Sequence, residues 1–219
     1  MKRMMVDNLK MQNSELVCKD KTGLYHSVFK KQGSLDGACA TYSVVMNLLI
    51  LGVIAEKETE VKARYKTRTS KKFFEVFCED YGMHRYGQTY YKINRMLKES
   101  LSTVVTTKHK LTSDKQSLAI IKETIATRIP IIISIGDNSP DWGHAMLAIG
   151  YEENERGDVS RILCLDPSGD YIHERKRWNA EIKITPKQYR LQTVWDGKNT
   201  TKIVILEDVL IITKNEEEA

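Results

Sequence analysis

The hydrophobic pattern of the sequence changes near residue 128, and this change limits the folds that the chain can adopt. Before it, the clearest apolar pattern is helical, with valines and leucines at helical spacing between residues 44 and 51. After it, short strand-like apolar runs follow one another, separated by turns rich in Gly, Asn, Ser and Pro. These runs cover residues 131–135, 144–151, 160–166, 181–185 and 202–213. Because helices come first and strands follow without alternating, we predict an α+β fold with a mainly antiparallel sheet.

We expect a single domain over residues 1–215, because the chain is long enough for one core and no linker-like segment interrupts it. The helical part is predicted over about residues 1–128 and the sheet part over about residues 129–213. Residues 216–219 contain three successive glutamates, and we predict that this acidic tail is disordered. Helices are predicted from Asp36 to Gly52 and over residues 73–80, 92–101 and 114–127.

The charge pattern argues against a nucleic-acid-binding protein. Lys and Arg number 34 against 29 Asp and Glu, which gives a mild net charge of +5. No dense basic run with interleaved aromatic residues occurs, so no nucleic acid partner is expected. The most basic segment, residues 62–72, is predicted to be a solvated surface.

The four cysteines, Cys18, Cys39, Cys78 and Cys164, are widely spaced and none belongs to a CxxC motif. This spacing argues against a zinc ribbon and a disulfide framework, so we expect no metal, no cofactor and a reducing compartment at synthesis. No apolar segment follows the basic start of the chain, and no run of 18 apolar residues occurs. We therefore expect a protein made in the cytoplasm without a Sec signal peptide or a membrane partner. Export by a specialised secretion system stays open.

Cys39 occupies a position in which a cysteine can become a nucleophile. It opens the apolar helical run, and Asp36 is its predicted N-cap, which places Cys39 in the third position of the first turn. Backbone N–H groups and the helix dipole stabilise a thiolate there. The small residues Gly37 and Ala38 would let a substrate carbonyl approach the sulfur. A cysteine beside an apolar helix is also a common core residue, so this position alone does not establish a role.

His144 and Asp166 each mark one end of a strand-like run. His144 begins its run and is the candidate general base for the thiol. Asp166 ends its run and is the candidate acceptor that orients the imidazole, although an Asp-Pro turn explains it equally well. Asp141 is the second candidate for that orienting role. Cys164 is predicted to lie in the core rather than to bind a metal.

Two further features complete the candidate site. The side-chain amide of Gln32, seven residues before Cys39, could pair with the Cys39 backbone N–H to bind an oxyanion. Trp142 and Gly143 lead directly into His144, and we predict that Trp142 and the loop at residues 137–140 form one wall of the cleft.

Together these motifs resemble the papain-like cysteine peptidases. The segments that carry the resemblance are Gln32, Asp36-Gly37-Ala38-Cys39-Ala40 before an apolar helix, the run Gly143-His144-Ala145-Met146-Leu147-Ala148-Ile149-Gly150-Tyr151, and Asp166-Pro167. The size and the last motif are similar to the small bacterial branch that cleaves the leader peptides of bacteriocins. The resemblance implies a cysteine endopeptidase with Cys39 as nucleophile, His144 as base, Asp166 as orienting residue and Gln32 as oxyanion donor. It covers about a third of the chain and does not extend to residues 56–111.

The resemblance leaves several functions open. A deamidase, a transglutaminase-like enzyme or an acyltransferase would use the same residues, and a non-catalytic binding module would use only the fold. The expected partner is a protein or peptide substrate. Small bacterial papain-like domains without signal peptides often resemble toxin or effector domains delivered into competing cells, and that role would add a cognate inhibitor or immunity protein.

Overall fold

The computed structural model describes residues 2–20, 22–33, 37–59, 67–76, 89–137, 139, 142–170, 172, 176–187, 190–197 and 200–215. Its helices are α1 (Cys39–Ile50), α2 (Arg68–Phe74), α3 (Tyr90–Ser100) and α4 (Asp114–Ala126), with a short 3₁₀ turn at Glu56–Glu58. Its strands are β1 (Lys2–Met5), β2 (Lys10–Gln12), β3 (Glu15–Lys19), β4 (Tyr25–Ser27), β5 (Val104–Lys110), β6 (Ile131–Gly136), β7 (Gly143–Glu153), β8 (Val159–Leu165), β9 (Ala180–Lys187), β10 (Arg190–Gly197) and β11 (Thr200–Lys214).

Strands from the second half of the chain pair in a closed ring. In the described part of the chain, β7, β6, β11, β10, β9 and β8 follow one another, and β8 pairs again with β7. Each of these pairs is antiparallel. A sheet that closes in this way is a small barrel whose interior is filled by side chains. The predicted α+β architecture with a mainly antiparallel sheet is therefore confirmed, whereas the closure of the sheet was not predicted.

The alternation of side chains along the strands gives the barrel two apolar cores. Its interior contains Ile133, Met146 and Cys164, and apolar residues of α4 such as Ile121 join them. Its outer surface is covered by α1, which packs against alternate strand residues such as Leu147. Two layers of core therefore meet along β7, whose successive residues belong to opposite sides.

Helix α1 is buried nearly all round, because its sequence is apolar on most faces. It ends in a Schellman motif, in which Gly52 N–H donates to Leu49 O and Val53 N–H donates to Leu48 O, both at 2.9 Å. Gly52 takes a φ of +64°, a conformation that glycine adopts without strain. The predicted end of this helix at Gly52 is therefore confirmed.

The expectation of a helical segment over residues 1–128 was wrong in two places. Strand β1 pairs with the end of β7, and β2, β3 and β4 form a separate small sheet. Strand β5 pairs with β11. Most of these strands are short and polar, so their pairing depends on partners far along the chain and not on a local pattern. The predicted helix at 73–80 lies earlier, as α2, and its last four predicted residues are outside the described residues.

No helix among the described residues is both long enough and apolar enough to cross a bilayer. The predicted acidic tail at residues 216–219 lies outside the described residues. The single-domain boundaries at residues 1–215 stay a prediction.

Candidate active site

Cys39 is the first residue of α1, not the third residue of its first turn as predicted. The residue before it, Ala38, takes the N-cap position and provides no side-chain hydrogen bond. The predicted cap Asp36 lies outside the described residues. The first N–H groups of a helix have no carbonyl one turn earlier to pair with, so the helix start presents them near the Cys39 thiol.

The start of α1 is fixed against the start of β7. The backbone N–H of Ala145 donates to Cys39 Sγ at 3.4 Å. One turn further along the helix, Ser43 Oγ donates to the carbonyl oxygen of Ala145 at 3.4 Å. Because Ala145 follows His144 in β7, these two contacts place the thiol beside the imidazole.

His144 and Asp166 form a buried pair at the ends of two adjacent strands. His144 Nε2 lies 2.8 Å from Asp166 Oδ1, and the Asp166 side chain is fully buried. The imidazole also interacts with the Cys39 side chain, and this interaction shifts the pKa of both groups. The structure thus brings together three of the four predicted catalytic residues in the order thiol, imidazole, carboxylate. The alternative orienting residue, Asp141, lies outside the described residues.

Hydrogen bonds hold both the carboxylate and the backbone of Asp166. Ser168 donates to Asp166 Oδ1 from its backbone N–H at 2.8 Å and from its hydroxyl at 2.7 Å. Asn179 accepts from the Asp166 backbone N–H at 2.7 Å and donates to the Asp166 carbonyl at 2.9 Å. Hydrogen bonds to a charged carboxylate favour the ionised form and fix its position. Sequence reasoning missed Ser168 and Asn179, because polar residues in a turn carry no signal of their own.

The electrostatics of the site favour an ion pair between Cys39 and His144. Burial alone would raise the pKa of the Cys39 thiol, but the hydrogen bond and positive charge of His144, with the Ala145 N–H, lower it below its usual value of 9.0. Burial would lower the pKa of His144, but its bonds to Asp166 and Cys39 raise it to about 10. Burial alone would raise the pKa of Asp166, but the contacts of its carboxylate with His144 and Ser168 lower it. All three shifts therefore favour the charged forms: thiolate, imidazolium and carboxylate.

Two tryptophans shield the imidazole from one side. The ring of Trp195 lies 5.2 Å from the ring of His144, and Trp142 packs on Trp195 with a centroid distance of 5.9 Å. Lys202 Nζ lies 3.8 Å from the ring centroid of Trp142. Aromatic walls of this kind exclude water from a charged pair and so strengthen it.

An open cleft of about 570 Å³ lies over the thiol and the imidazole. Of the residues predicted to form it, Gly37, Ser139, Trp142 and Gly143 line the cleft, whereas Ala38 is buried and does not. Lining residues that the sequence did not point to are Tyr90, Ser134, Glu207 and Asp208. Tyr90 was expected to serve in packing. Its ring does join the core, but its side chain also reaches the cleft.

Gln32 lies beside the turn that follows Asp166. Its backbone N–H donates to the carbonyl oxygen of Pro167 at 2.9 Å. Gln32 is not among the residues that line the cleft, so its role as an oxyanion donor stays a prediction.

The other described cysteines lie away from the cleft. Cys18 is buried on the small sheet, 3.5 Å from His26 Nε2, and burial raises its pKa to about 12. Cys164 lies in the barrel interior, as predicted for a core residue. Within the described residues, no group of three or more His, Cys, Asp or Glu side chains is placed so that it could hold a metal ion.

Comparisons with known proteins found a matching family model and a similar solved structure. A family model described as the Peptidase_C39 like family matches residues 24–196, a range that includes the segment at 56–111 for which no resemblance was found. No curated protein sequence matches the chain. Among solved structures, a crystal structure of UfSP from C. elegans matches at 13% identity with a TM-score of 0.49. The match covers 98% of this chain and 34% of that chain, so this chain spans about a third of the length of that protein.

Proposed function

This chain belongs to the Peptidase_C39 like family, within the papain-like cysteine peptidases, and from that premise we propose that it is an endopeptidase with Cys39, His144 and Asp166 as its catalytic triad. The observation that carries the proposal is the buried His144–Asp166 pair next to the Cys39 thiol, whose sulfur accepts a hydrogen bond from the residue after His144. A cysteine that only fills space in a core does not require a buried imidazole and carboxylate beside it.

The geometry supports the following sequence of steps. The Cys39 thiolate attacks the carbonyl carbon of a peptide bond, and the imidazolium of His144 donates its proton to the leaving amine. The acyl group then remains on Cys39 as a thioester. His144, now neutral, takes a proton from water, the resulting hydroxide attacks the thioester, and the acid product leaves as the Cys39–His144 ion pair is restored.

The oxyanion of each tetrahedral intermediate needs hydrogen-bond donors near the sulfur. The backbone N–H of Cys39, at the first position of α1, is one candidate donor. The side-chain amide of Gln32 is the second, on the strength of the family resemblance. Asp166 would act on the reaction through His144, by holding the ring and stabilising its charge.

Proteolysis can be tested on a peptide library made from a whole proteome. The wild type is expected to create new peptide termini, and Cys39→Ala should reduce the rate of their formation by about 10⁴-fold or more. Cys164→Ala is the matched control, because it removes a thiol from the barrel interior and leaves the cleft unchanged. It should cleave the same bonds at nearly the wild-type rate.

The same experiment separates the other functions. Mass shifts of about one dalton on intact peptides, without new termini, would indicate a deamidase that uses the same thiol. If no peptide changes and Cys39 reacts with an alkylating reagent no faster than Cys164, the peptidase proposal is wrong and the fold serves in binding.

We also propose a biological role, that of a bacterial toxin or effector whose cleft is covered by a cognate inhibitor in the producing cell. This role is supported by the resemblance alone. It requires that wild-type protein made inside a bacterial host slows growth while Cys39→Ala does not. Equal growth of the two strains would argue against it.

A further inference from the structure

One wall of the cleft carries carboxylates that the peptidase mechanism does not use. Glu207 and Asp208 line the cleft beside Ser134. Both belong to β11, at a bulge between Leu206 and Asp208. A bulge breaks the regular alternation of a strand and redirects a side chain, and bulges often lie next to active sites. Because the chain has a net charge of +5, this wall is opposite in sign to the molecule as a whole.

The side chain of Glu207 lies over the neighbouring barrel strand, β6. The hydroxyl of Ser134 donates to Glu207 Oε2 at 3.3 Å. A Cβ atom at Gly136 would collide with the Glu207 carboxylate, so the glycine leaves the space that this carboxylate occupies. Among the described residues, no Lys or Arg forms an ion pair with Glu207, whereas Asp208 pairs with Lys108 at 3.5 Å. Glu207 therefore presents a charge to the cleft that the described protein does not neutralise.

A second, independent feature of the same wall is an unpaired hydroxyl. Tyr90 is only 4% exposed and lines the cleft, and its hydroxyl has no hydrogen-bond partner among the described residues. Burial raises the pKa of Tyr90 well above 10, and the charges of Cys39, Asp208 and Glu207 add to this effect. The hydroxyl therefore lies within the field of both the nucleophile and the carboxylates. A buried hydroxyl without a partner is costly, and a bound ligand can remove that cost.

The strand register shows how far this wall lies from the thiol. Ser134 of β6 pairs with Ala145 of β7 on one side and with Asp208 of β11 on the other. Ala145 is the residue whose N–H reaches Cys39 Sγ. Two strand spacings, about 10 Å, therefore separate the thiol side of the cleft from the acidic wall. This distance corresponds to about three residues of an extended peptide.

We propose that Glu207, assisted by Asp208 and by the Tyr90 hydroxyl, forms a specificity subsite for a lysine or arginine side chain close to the scissile bond of the substrate. The proposal rests on the proposed peptidase function and names its substrate class. The Glu207 carboxylate accepts hydrogen bonds from the ammonium or guanidinium group. The Tyr90 hydroxyl donates to a polar group of the same bound peptide, such as a backbone carbonyl.

The test uses quenched fluorescent peptides that differ at one position at a time, up to three residues on each side of the cleaved bond. Each position carries Lys, Arg, Glu, or the uncharged analogues norleucine and citrulline, which match the lengths of Lys and Arg. At one position, the wild type should cleave the cationic peptides about 10- to 100-fold better in kcat/KM than their uncharged analogues. In Glu207→Gln this preference should fall to about threefold or less, and Glu207→Lys should favour the Glu peptide instead.

Glu155 provides the matched control. It is exposed in the turn between β7 and β8, at the other end of β7 from His144, so Glu155→Gln makes the same charge change far from the cleft. Its peptide preference should equal that of the wild type. If the wild type cleaves cationic and uncharged peptides equally well, or if the preference persists in Glu207→Gln, the subsite proposal is wrong while the peptidase proposal stands.

Measurements of peptide binding distinguish an error in the subsite proposal from an error in the peptidase proposal. The Cys39→Ala protein should bind the Lys peptide about tenfold or more tightly than its norleucine analogue, as measured by fluorescence anisotropy, and Glu207→Gln in the same background should abolish the difference. If no peptide is cleaved but this difference appears, the subsite is present and the peptidase proposal fails. If binding shows no difference either, the subsite proposal fails as well.

Discussion

The outer and inner sides of the barrel each hold a cysteine, and the two thiols have opposite acidities. Cys39 lies outside, at the start of α1, where burial raises its pKa but the contacts with His144 more than compensate and lower it. Cys164 lies in the interior, fully buried, where burial raises its pKa well above 9.0 and the charges of Asp166 and Glu181 raise it further. Burial raises the pKa of both thiols, so the contacts with His144, and not burial, give Cys39 its lowered pKa.

The same carboxylate acts on both thiols with opposite results. Asp166 repels a negative charge on Cys164 directly. Towards Cys39, it acts through the imidazole that lies between them, because its hydrogen bond keeps His144 protonated. The comparison shows that a cation inserted between a carboxylate and a thiol turns an unfavourable field into a favourable one.

Replacing His144 with alanine should remove the difference in acidity between Cys39 and Cys164. We expect this substitution to have the largest effect. The thiolate is the reactive form, so the lowered pKa of Cys39 means fast alkylation by iodoacetamide at neutral pH in the wild type. In His144→Ala only burial and the N–H groups remain, so the onset of alkylation should move to higher pH and peptide cleavage should fall by about 10⁴-fold or more. Mass spectrometry at limiting reagent measures both thiols in one sample.

Cys164 is the internal reference in that experiment. Its alkylation should stay slow in the wild type and in His144→Ala, since burial controls it in both. Fast labelling of Cys39 that does not depend on His144 would show that the helix start alone activates the thiol.

Asp166→Asn should weaken the ion pair without removing the imidazole. The pKa of His144 is raised to about 10 partly by Asp166, so the imidazolium that protonates the leaving amine persists in the wild type until pH rises through that value. In the variant the alkaline limit of activity should move to lower pH, and kcat should fall by about 10²- to 10⁴-fold. The pH profile of kcat measures both effects.

Asp170→Asn is the matched control for Asp166→Asn. Asp170 lies in the same loop, is exposed, and pairs with Lys31 at 3.2 Å. It should shift neither the pH profile nor kcat. An unchanged alkaline limit in Asp166→Asn would show that Asp166 does not control the protonation of His144.

The sequence predicted those parts of the molecule that depend on local pattern. The apolar run after Cys39, with Gly52 as its end, is a buried helix, and the apolar run from His144 is a barrel strand. Cys39, His144 and Asp166 were predicted because each lies at the start or end of such a run. The order of helices and strands was sufficient for the α+β class, which the strand pairings confirm.

The parts that were missed depend on partners distant in sequence. Strands β1 and β5 are ordered by pairing with β7 and β11, and nothing in their own residues indicates those partners. The acidic wall also depends on distant partners, since Glu207 lies at the bulge of β11 beside β6. Tyr90 and Glu207 lie 117 positions apart and meet through the fold, so no motif could join them.

Trp142 and Trp195 allow a finer test of the same comparison, because they contact each other and pack on the same core but differ in exposure to the cleft. Trp142 lines the cleft, whereas Trp195 is buried in the interior core and lies against His144. Trp142→Ala should therefore raise KM or lower kcat by about 3- to 10-fold, with little change in the free energy of unfolding. Trp195→Ala should instead destabilise the fold by about 3–5 kcal/mol, through the cavity that it leaves.

Steady-state kinetics and thermal unfolding of the two variants, measured together, distinguish the cleft from the core. A loss of stability in Trp142→Ala equal to that in Trp195→Ala would place Trp142 in the core. Unchanged kinetics in Trp142→Ala would remove it from the substrate site.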